Sequence, residues 1–227
     1  MKRIFVNVAV AFGILTFASC LKDNDGTSNP TQGALMVANL TPDATGVNVT
    51  LNSKGYVSNL GYGVYTPYYL QNAGTYDVGV ASGSTTISDS IKLEPNKYYS
   101  YFIIDTLASL KYAFVEDKLV APSSDSVYVR FLNFSPNSGV VNFRDSATHN
   151  YFSKSRTFND QKTTASYADF TKMRAAILTF QIVGSDSSVL ASKKDTLAGG
   201  HIYTIMAKGK ANGTGAQALG IGKIQNY

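Results

Sequence analysis

Val47, Val49 and Leu51 alternate with Asn48, Thr50 and Asn52, the period-two pattern of a strand with one buried face. Tyr76, Val78 and Val80 alternate in the same way with Asp77, Gly79 and Ala81, and Val127, Val129 and Phe131 with Tyr128, Arg130 and Leu132. Runs of strand composition at 35–40, 65–70, 85–93, 98–105 and 110–116 complete a first set of predicted strands. A second set falls at 140–144, 152–158, 175–183, 189–195, 202–208 and 218–224. Turn chemistry separates them, including Thr41-Pro42-Asp43, Asn72-Ala73-Gly74, Ser82-Gly83-Ser84 and Glu94-Pro95-Asn96. No long amphipathic helix is predicted in the first half. Short strands with closely spaced turns predict an all-β chain of two tandem immunoglobulin-like antiparallel β-sandwich domains.

The two sets are copies of one unit. Asn39-Leu40-Thr41-Pro42-Asp43 returns as Asn133-Phe134-Ser135-Pro136-Asn137, and Val47-Asn48-Val49 returns at the same offset as Val141-Asn142-Phe143. Leu178–Ile182 and Tyr203 echo Tyr76–Val80 and Tyr99 at larger offsets, so insertions accumulate between Arg144 and Leu178. Ala121-Pro122-Ser123-Ser124-Asp125 is the punctuation between the units. The expected boundaries are 34–120 for the first domain and 125–227 for the second, divergent one.

Composition agrees with this picture. Hydrophobic residues make up 44% and charged residues 15% of 227 positions, which describes a folded chain. Fifteen Tyr and twelve Phe favour strands. The formal charge is +5, and without a clustered basic stripe no nucleic-acid partner is expected.

The N-terminus carries an address. Lys2 and Arg3 precede the apolar run Ile4–Phe17, which closes in small residues, the pattern of a secretory signal too short for a comfortable membrane span. Phe17-Ala18-Ser19-Cys20 resembles a bacterial lipobox, with Phe in place of the more usual Leu. The resemblance implies cleavage after residue 19 and lipidation of Cys20, the single cysteine, so the domains fold without an internal disulfide. Residues 20–33 read as a flexible, lipid-anchored tether. Lys22-Asp23-Asn24-Asp25 resembles the charged export signal of surface-exposed Bacteroidota lipoproteins. An outer-membrane, lipid-anchored location follows, with the cell surface favoured over the periplasmic face.

Ala38-Asn39-Leu40-Thr41-Pro42-Asp43-Ala44 followed by Val47-Asn48-Val49 resembles the opening of the bacterial domain-of-unknown-function 4397 family, with Asn48 where that family often has Asp. Ala73–Val78 and Leu93–Tyr99 resemble two later hallmarks, so the resemblance spans Ala34 to about Leu119. It implies a β-sandwich on exported bacterial proteins and no established reaction.

The densest aromatic stretch, Gly61–Tyr69, offers Tyr62, Tyr65, Tyr68 and Tyr69 as candidate contacts for a glycan or an envelope protein. Gly61-x-Gly63 lacks the third glycine of a dinucleotide site, so no cofactor is expected. His149 and His201 have no His or Cys partner at metal-ligand spacing, and no metal is expected. Asp145, Ser146 and His149 hold the residue types of a hydrolase triad without a nucleophile elbow. Five Asp-Ser/Thr steps resemble the O-glycosylation acceptor of Bacteroidota exported proteins, offering Ser90, Thr106, Ser126, Ser146 and Thr196, although Asp-Ser/Thr also marks turns. The functional expectation is a non-enzymatic outer-membrane lipoprotein serving as a cell-envelope binding, adhesion or spacing module. The alternative is a carbohydrate-binding accessory lipoprotein using its tyrosine-rich surface.

Overall fold

The computed structural model describes residues 31–227, so the signal, Cys20 and most of the tether lie outside the described residues. The first sandwich contains β1 (Gln32–Asn39), β2 (Val47–Leu51), β3 (Lys54–Leu60), β4 (Tyr69–Asn72), β5 (Gly74–Ser82), β6 (Thr85–Leu93), β7 (Tyr98–Ile104) and β8 (Lys111–Asp117). Its sheets have the orders β4-β1-β7-β8 and β3-β2-β5-β6. The second contains β9 (Ser126–Asn133), β10 (Val141–Asp145), β11 (Tyr151–Arg156), β12 (Thr171–Arg174), β13 (Ala176–Gly184), β14 (Val189–Leu197), β15 (Ile202–Lys208) and β16 (Gly220–Gln225). Its orders, β12-β9-β15-β16 and β11-β10-β13-β14, reproduce the first strand for strand.

The all-β, two-sandwich expectation holds, with two refinements. Each unit contains one parallel pair, β1 with β7 and β9 with β15, because the chain leaves its first sheet after the opening strand and returns beside it in the same direction. The second and third strands form a hairpin within one sheet, whereas an immunoglobulin constant domain places them in opposite sheets.

The repeated stretch explains how the two sheets of each unit are joined. Asn39 is fully buried at the end of β1. Its Oδ1 accepts the Thr41 N–H at 3.0 Å, and its Nδ2 donates to the Leu60 carbonyl, at the end of β3 in the opposite sheet, at 2.9 Å. Asn133 repeats both bonds, with the Ser135 N–H at 3.0 Å and the Arg156 carbonyl at 3.3 Å. Asn48 Oδ1 accepts the N–H of Asn59, a left-handed residue (φ 50°) where the β2–β3 register shifts. Asn142 does the same for Ser155 (φ 54°) beside the bulge between β10 and β11. Tyr99 and Tyr203 each accept a backbone N–H five residues upstream, from Glu94 and Ala198.

The fifth position of the stretch changes from Asp43 to Asn137 while keeping its task. Asp43 Oδ1 accepts the Leu107 N–H at 3.0 Å, and Asn137 Oδ1 accepts the Ala211 N–H at 2.8 Å. What the loop needs there is a side-chain carbonyl oxygen, not a charge. Two expected strands shift and two were not anticipated. The segment predicted at 65–70 joins β1 through a single bridge at Tyr65 and enters a regular ladder only from Tyr69, since Pro67 has no N–H and the Thr66 hydroxyl takes the Val37 N–H. The unanticipated β3 and β12 are polar and largely exposed. The predicted 152–158 strand ends at Arg156, after which residues 157–170 turn through two 3-10 segments.

Between the sandwiches lies a third core. Leu35, Val37, Tyr99 and Tyr101 face the first interior. Alternate residues of the same strands, Met36, Ala38, Phe102 and Ile104, face the other way and meet Leu132, Phe134, Met206 and Ile224. β1, β7, β9 and β15 are therefore buried on both faces, and the molecule is a four-layer stack. The linker is pinned as well: Ser123 O accepts the Ser126 and Gly200 N–H groups, and a side chain at Gly199 would collide with the Ser124 carbonyl.

At the centre of this interface Arg130 Nη1 meets Asp117 Oδ1 at 2.6 Å, with both side chains at 0% exposure. Arg130 Nε donates to Thr204 Oγ1 (2.8 Å), Thr204 to Asn226 Oδ1 (2.7 Å), Asn226 Nδ2 to the Tyr68 hydroxyl (2.7 Å), and Tyr68 to Asp117 Oδ2 (2.6 Å). The polar ring closes on itself. Phe170 stacks beneath the guanidinium at 4.6 Å. Register places Met36 opposite Arg130, Asn226 opposite Asp117, Thr204 opposite Ser100 and Phe170 opposite Tyr68 in the duplicated pattern. The interface is thus quasi-twofold, with charge on one arm only.

Asp43→Asn is expected to change stability by less than about 0.5 kcal/mol, while Asp43→Ala costs about 1 kcal/mol by leaving the Leu107 N–H without its acceptor. Asp117→Asn, which leaves Arg130 as a buried unpaired charge, is expected to cost about 3–5 kcal/mol. Adding Arg130→Met recovers most of that loss, because Met36 and Asn226 already occupy the quasi-equivalent positions. Urea midpoints of the five proteins check both expectations, and a double variant no more stable than Asp117→Asn would contradict the second.

Candidate ligand-binding cleft

β3 and β4 are neighbouring edge strands of the two sheets of the first sandwich, and the space between them is an open cleft of about 720 Å³. Tyr56 and Tyr69 line it in an edge-to-face pair, with centroids 6.0 Å apart and planes at 85°. The Tyr56 hydroxyl donates to the Leu35 carbonyl at 2.7 Å, which fixes its ring against the sandwich. Burial, and then the neighbouring Tyr69, push the Tyr56 phenol well above its ordinary range. Tyr76 forms another wall, its hydroxyl donating to the Asn72 carbonyl at 2.7 Å. Tyr69 stays 46% exposed, and Lys54 and Gln71 supply a polar rim. One aromatic is held rigidly, a second is presented to solvent, and charged and amide groups surround them. That combination suits a ligand with both apolar faces and hydroxyls.

The four tyrosines expected to act together diverge. Only Tyr69 enters the cleft. Tyr68 is half-buried, and its hydroxyl is engaged in the polar ring between the sandwiches, away from the cleft; its phenol is raised by burial and by Asp117. Tyr62 lies beneath the Lys208 ammonium, 4.2 Å from its ring centre, and burial pushes its phenol up to about 12. Tyr65 is half exposed beside β1, bridged to Ala38. Adjacent residues scatter because alternate side chains of the run face opposite ways and its register along β1 shifts by one residue at Thr66 and Pro67, between Tyr65 opposite Ala38 and Tyr69 opposite Leu35. Tyr56 and Tyr76 come from outside the aromatic run, and sequence spacing gave no sign of them.

The remaining candidates are separate. Asp145 accepts the Thr148 backbone N–H and hydroxyl with one carboxylate oxygen, and its backbone carbonyl takes the His149 N–H. Burial raises the Asp145 carboxyl, but the Thr148 bonds outweigh it and hold it below the ordinary range. These residues build a turn. His201 lies elsewhere, with its Nδ1 3.0 Å from the Tyr227 carbonyl. Among the described residues, no group of three His, Cys, Asp or Glu side chains is placed to hold a metal ion.

Of the Asp-Ser/Thr steps, Ser90 on β6 and Thr196 on β14 are exposed, while Thr106 and Ser146 are half-buried in turns. Ser126 is 4% exposed, its hydroxyl 2.7 Å from that of Ser123 beneath the linker, so in the folded chain it is not an accessible acceptor. Asp105 and Asp195 each accept the N–H of the following threonine, Asp105 in the turn after β7 and Asp195 within β14.

The family model for a domain of unknown function, DUF4397, matches residues 33–144. Residues 33–144 resemble the DUF4397 domain family. The DUF4397 match covers the first sandwich from the second residue of β1 and continues through β9 to Arg144 in β10, taking in the second copy of the Asn-x-Thr/Ser-Pro turn. The cleft between β3 and β4 lies inside it. No curated protein matches the chain. Among the described residues, no helix is long and apolar enough to cross a membrane.

Proposed function

We propose that this protein is a non-enzymatic binding module of the cell envelope, anchored in the outer membrane through a lipidated Cys20 and facing the cell surface. Its contact surface is the cleft between β3 and β4, and its ligand class is carbohydrate. The Tyr56–Tyr69 pair carries the reading: a fixed ring at right angles to a presented one, with Lys54 and Gln71 within the same cleft. A sugar offers such a site C–H faces for the rings and hydroxyls for the rim. Because the sandwiches pack face to face, the molecule is broad and lends itself to presenting a surface more than to acting as a long spacer.

The test is titration of the full chain with a panel of envelope polysaccharides, followed in parallel for two variants. Tyr69→Ala is expected to abolish binding with an unchanged melting temperature, and Tyr68→Phe to lower the melting temperature and keep binding. Cys20→Ser should move the protein out of the membrane fraction of the producing cells. Absence of binding across the panel, or binding unaffected by Tyr69→Ala, would sink the carbohydrate assignment.

O-glycosylation belongs to the same reading, with Ser90 and Thr196 as the acceptors best exposed. Intact mass of the native protein is expected to exceed chain plus lipid, and Ser90→Ala with Thr196→Ala to remove most of the excess. A native mass equal to chain plus lipid would rule it out.

A further inference from the structure

An edge strand pairs with other chains unless charge, shortness or a bulge protects it. β4 and β12 have four residues each, and β3 and β11 are bulged. β6 carries Asp89 and Lys92, β14 carries Lys193 and Lys194, and β16 carries Lys223. β8 differs. Its centre, Tyr112-Ala113-Phe114-Val115, is uncharged and pairs with β7 without a register shift.

The free edge of β8 faces a groove, with residues 159–169 of the second sandwich as the opposite wall. Three cavities of about 340, 250 and 200 Å³ adjoin along it, sharing Phe114, Tyr112 and Gln161 between neighbours. The wall is built in advance. Arg156 grips Asp160 through Nε–Oδ2 (2.9 Å) and Nη2–Oδ1 (2.6 Å), and stacks on Tyr167 at 4.3 Å. Among the described residues, no hydrogen bond joins this wall to the β8 backbone. Exposed lysines link the two sides near the ends, Lys118 with Asp169 (3.3 Å) and Lys111 over Phe158 (5.5 Å), and at the floor Phe158 and Ala168 pack on the core that includes Ala113 and Val115.

Two groups in the groove want a partner. Gln161 is 7% exposed; its Nε2 donates to Asn159, and its Oε1 is buried without a donor. Lys162, exposed at one end, has no acidic partner among the described residues. A peptide backbone supplies the N–H that Gln161 lacks, together with the alternating donors and acceptors that a free strand edge requires.

We propose that this groove binds an extended polypeptide segment of about five residues, roughly 17 Å long, as a strand added to β8 with an acidic side chain at Lys162. The small cavities suit alternating small or β-branched side chains. This site is separate from the tyrosine cleft, so either assignment can fail alone.

The probe is a fluorescein-labelled hexapeptide of alternating threonine and valine ending in glutamate, titrated by polarisation into the folded chain. Two further peptides, N-methylated on alternate residues, divide the two edges of the probe strand. Saturable binding is expected, with one methylated set abolishing it and the other tolerated, and with amide-exchange protection appearing across 111–117. Gln161→Leu is expected to weaken binding about tenfold at an unchanged melting temperature. Lys162→Glu should reverse the preference to a probe ending in lysine. No saturable binding up to roughly 1 mM, equal binding of both methylated peptides, protection at β4 instead of β8, or full affinity in Gln161→Leu would each overturn the proposal.

Discussion

Asp117 and Arg130 hold opposite charges where water does not reach, and neither is tolerable alone. Each comes from a different sandwich, so the charge of one half is balanced only when the other half is docked. The neutral members of the ring, Thr204, Asn226 and Tyr68, together with Ser100, bond the flanks of the pair and favour one arrangement. The apolar contacts around it, Phe102 with Phe134 above all, supply attraction without direction. Attraction brings the sheets together; the ring sets how they sit. This division of labour is what makes two repeats behave as one block with a defined groove between them.

The duplication shows which features of the unit are chemical necessities. Asn39 and Asn133 are kept because a buried amide must bond in two directions, to its own turn and to the opposite sheet. Asp43 and Asn137 differ because only an oxygen is used. Met36 and Arg130 differ because the interface face, unlike the sandwich interior, needs one charged arm and not two. Divergence has gone furthest after β11, where the longer segment in the second unit forms the wall across from β8.

Much of the architecture was readable in residue order. Val47-Asn48-Val49 and its repeat announced a half-buried strand, and the Asn-x-Thr/Ser-Pro turn announced the copy. Continuous apolar runs such as Leu35–Ala38 and Phe102–Ile104 held the signal of strands buried on both faces, yet a run of that length has the same composition whichever sheet covers its second side. β3 leaves little trace in residue order because its position is set by the Asn48 clamp and by partners, with little apolar content of its own. The aromatic run misled for a related reason. Proximity along the chain is a poor guide where alternate side chains face opposite ways and the register shifts, so one of four tyrosines reached the cleft while Tyr56 and Tyr76 arrived from neighbouring strands.

β1 is a central strand, flanked by β4 on one side and by β7, running in the same direction, on the other. Tension applied through the residues ahead of Gln32 therefore enters the fold at its middle. Pulled along its own axis, β1 loads both ladders of hydrogen bonds in shear, so they must fail together and cannot open one at a time from an edge. Whenever load enters from that end, the first strand it meets is one hydrogen-bonded on both sides.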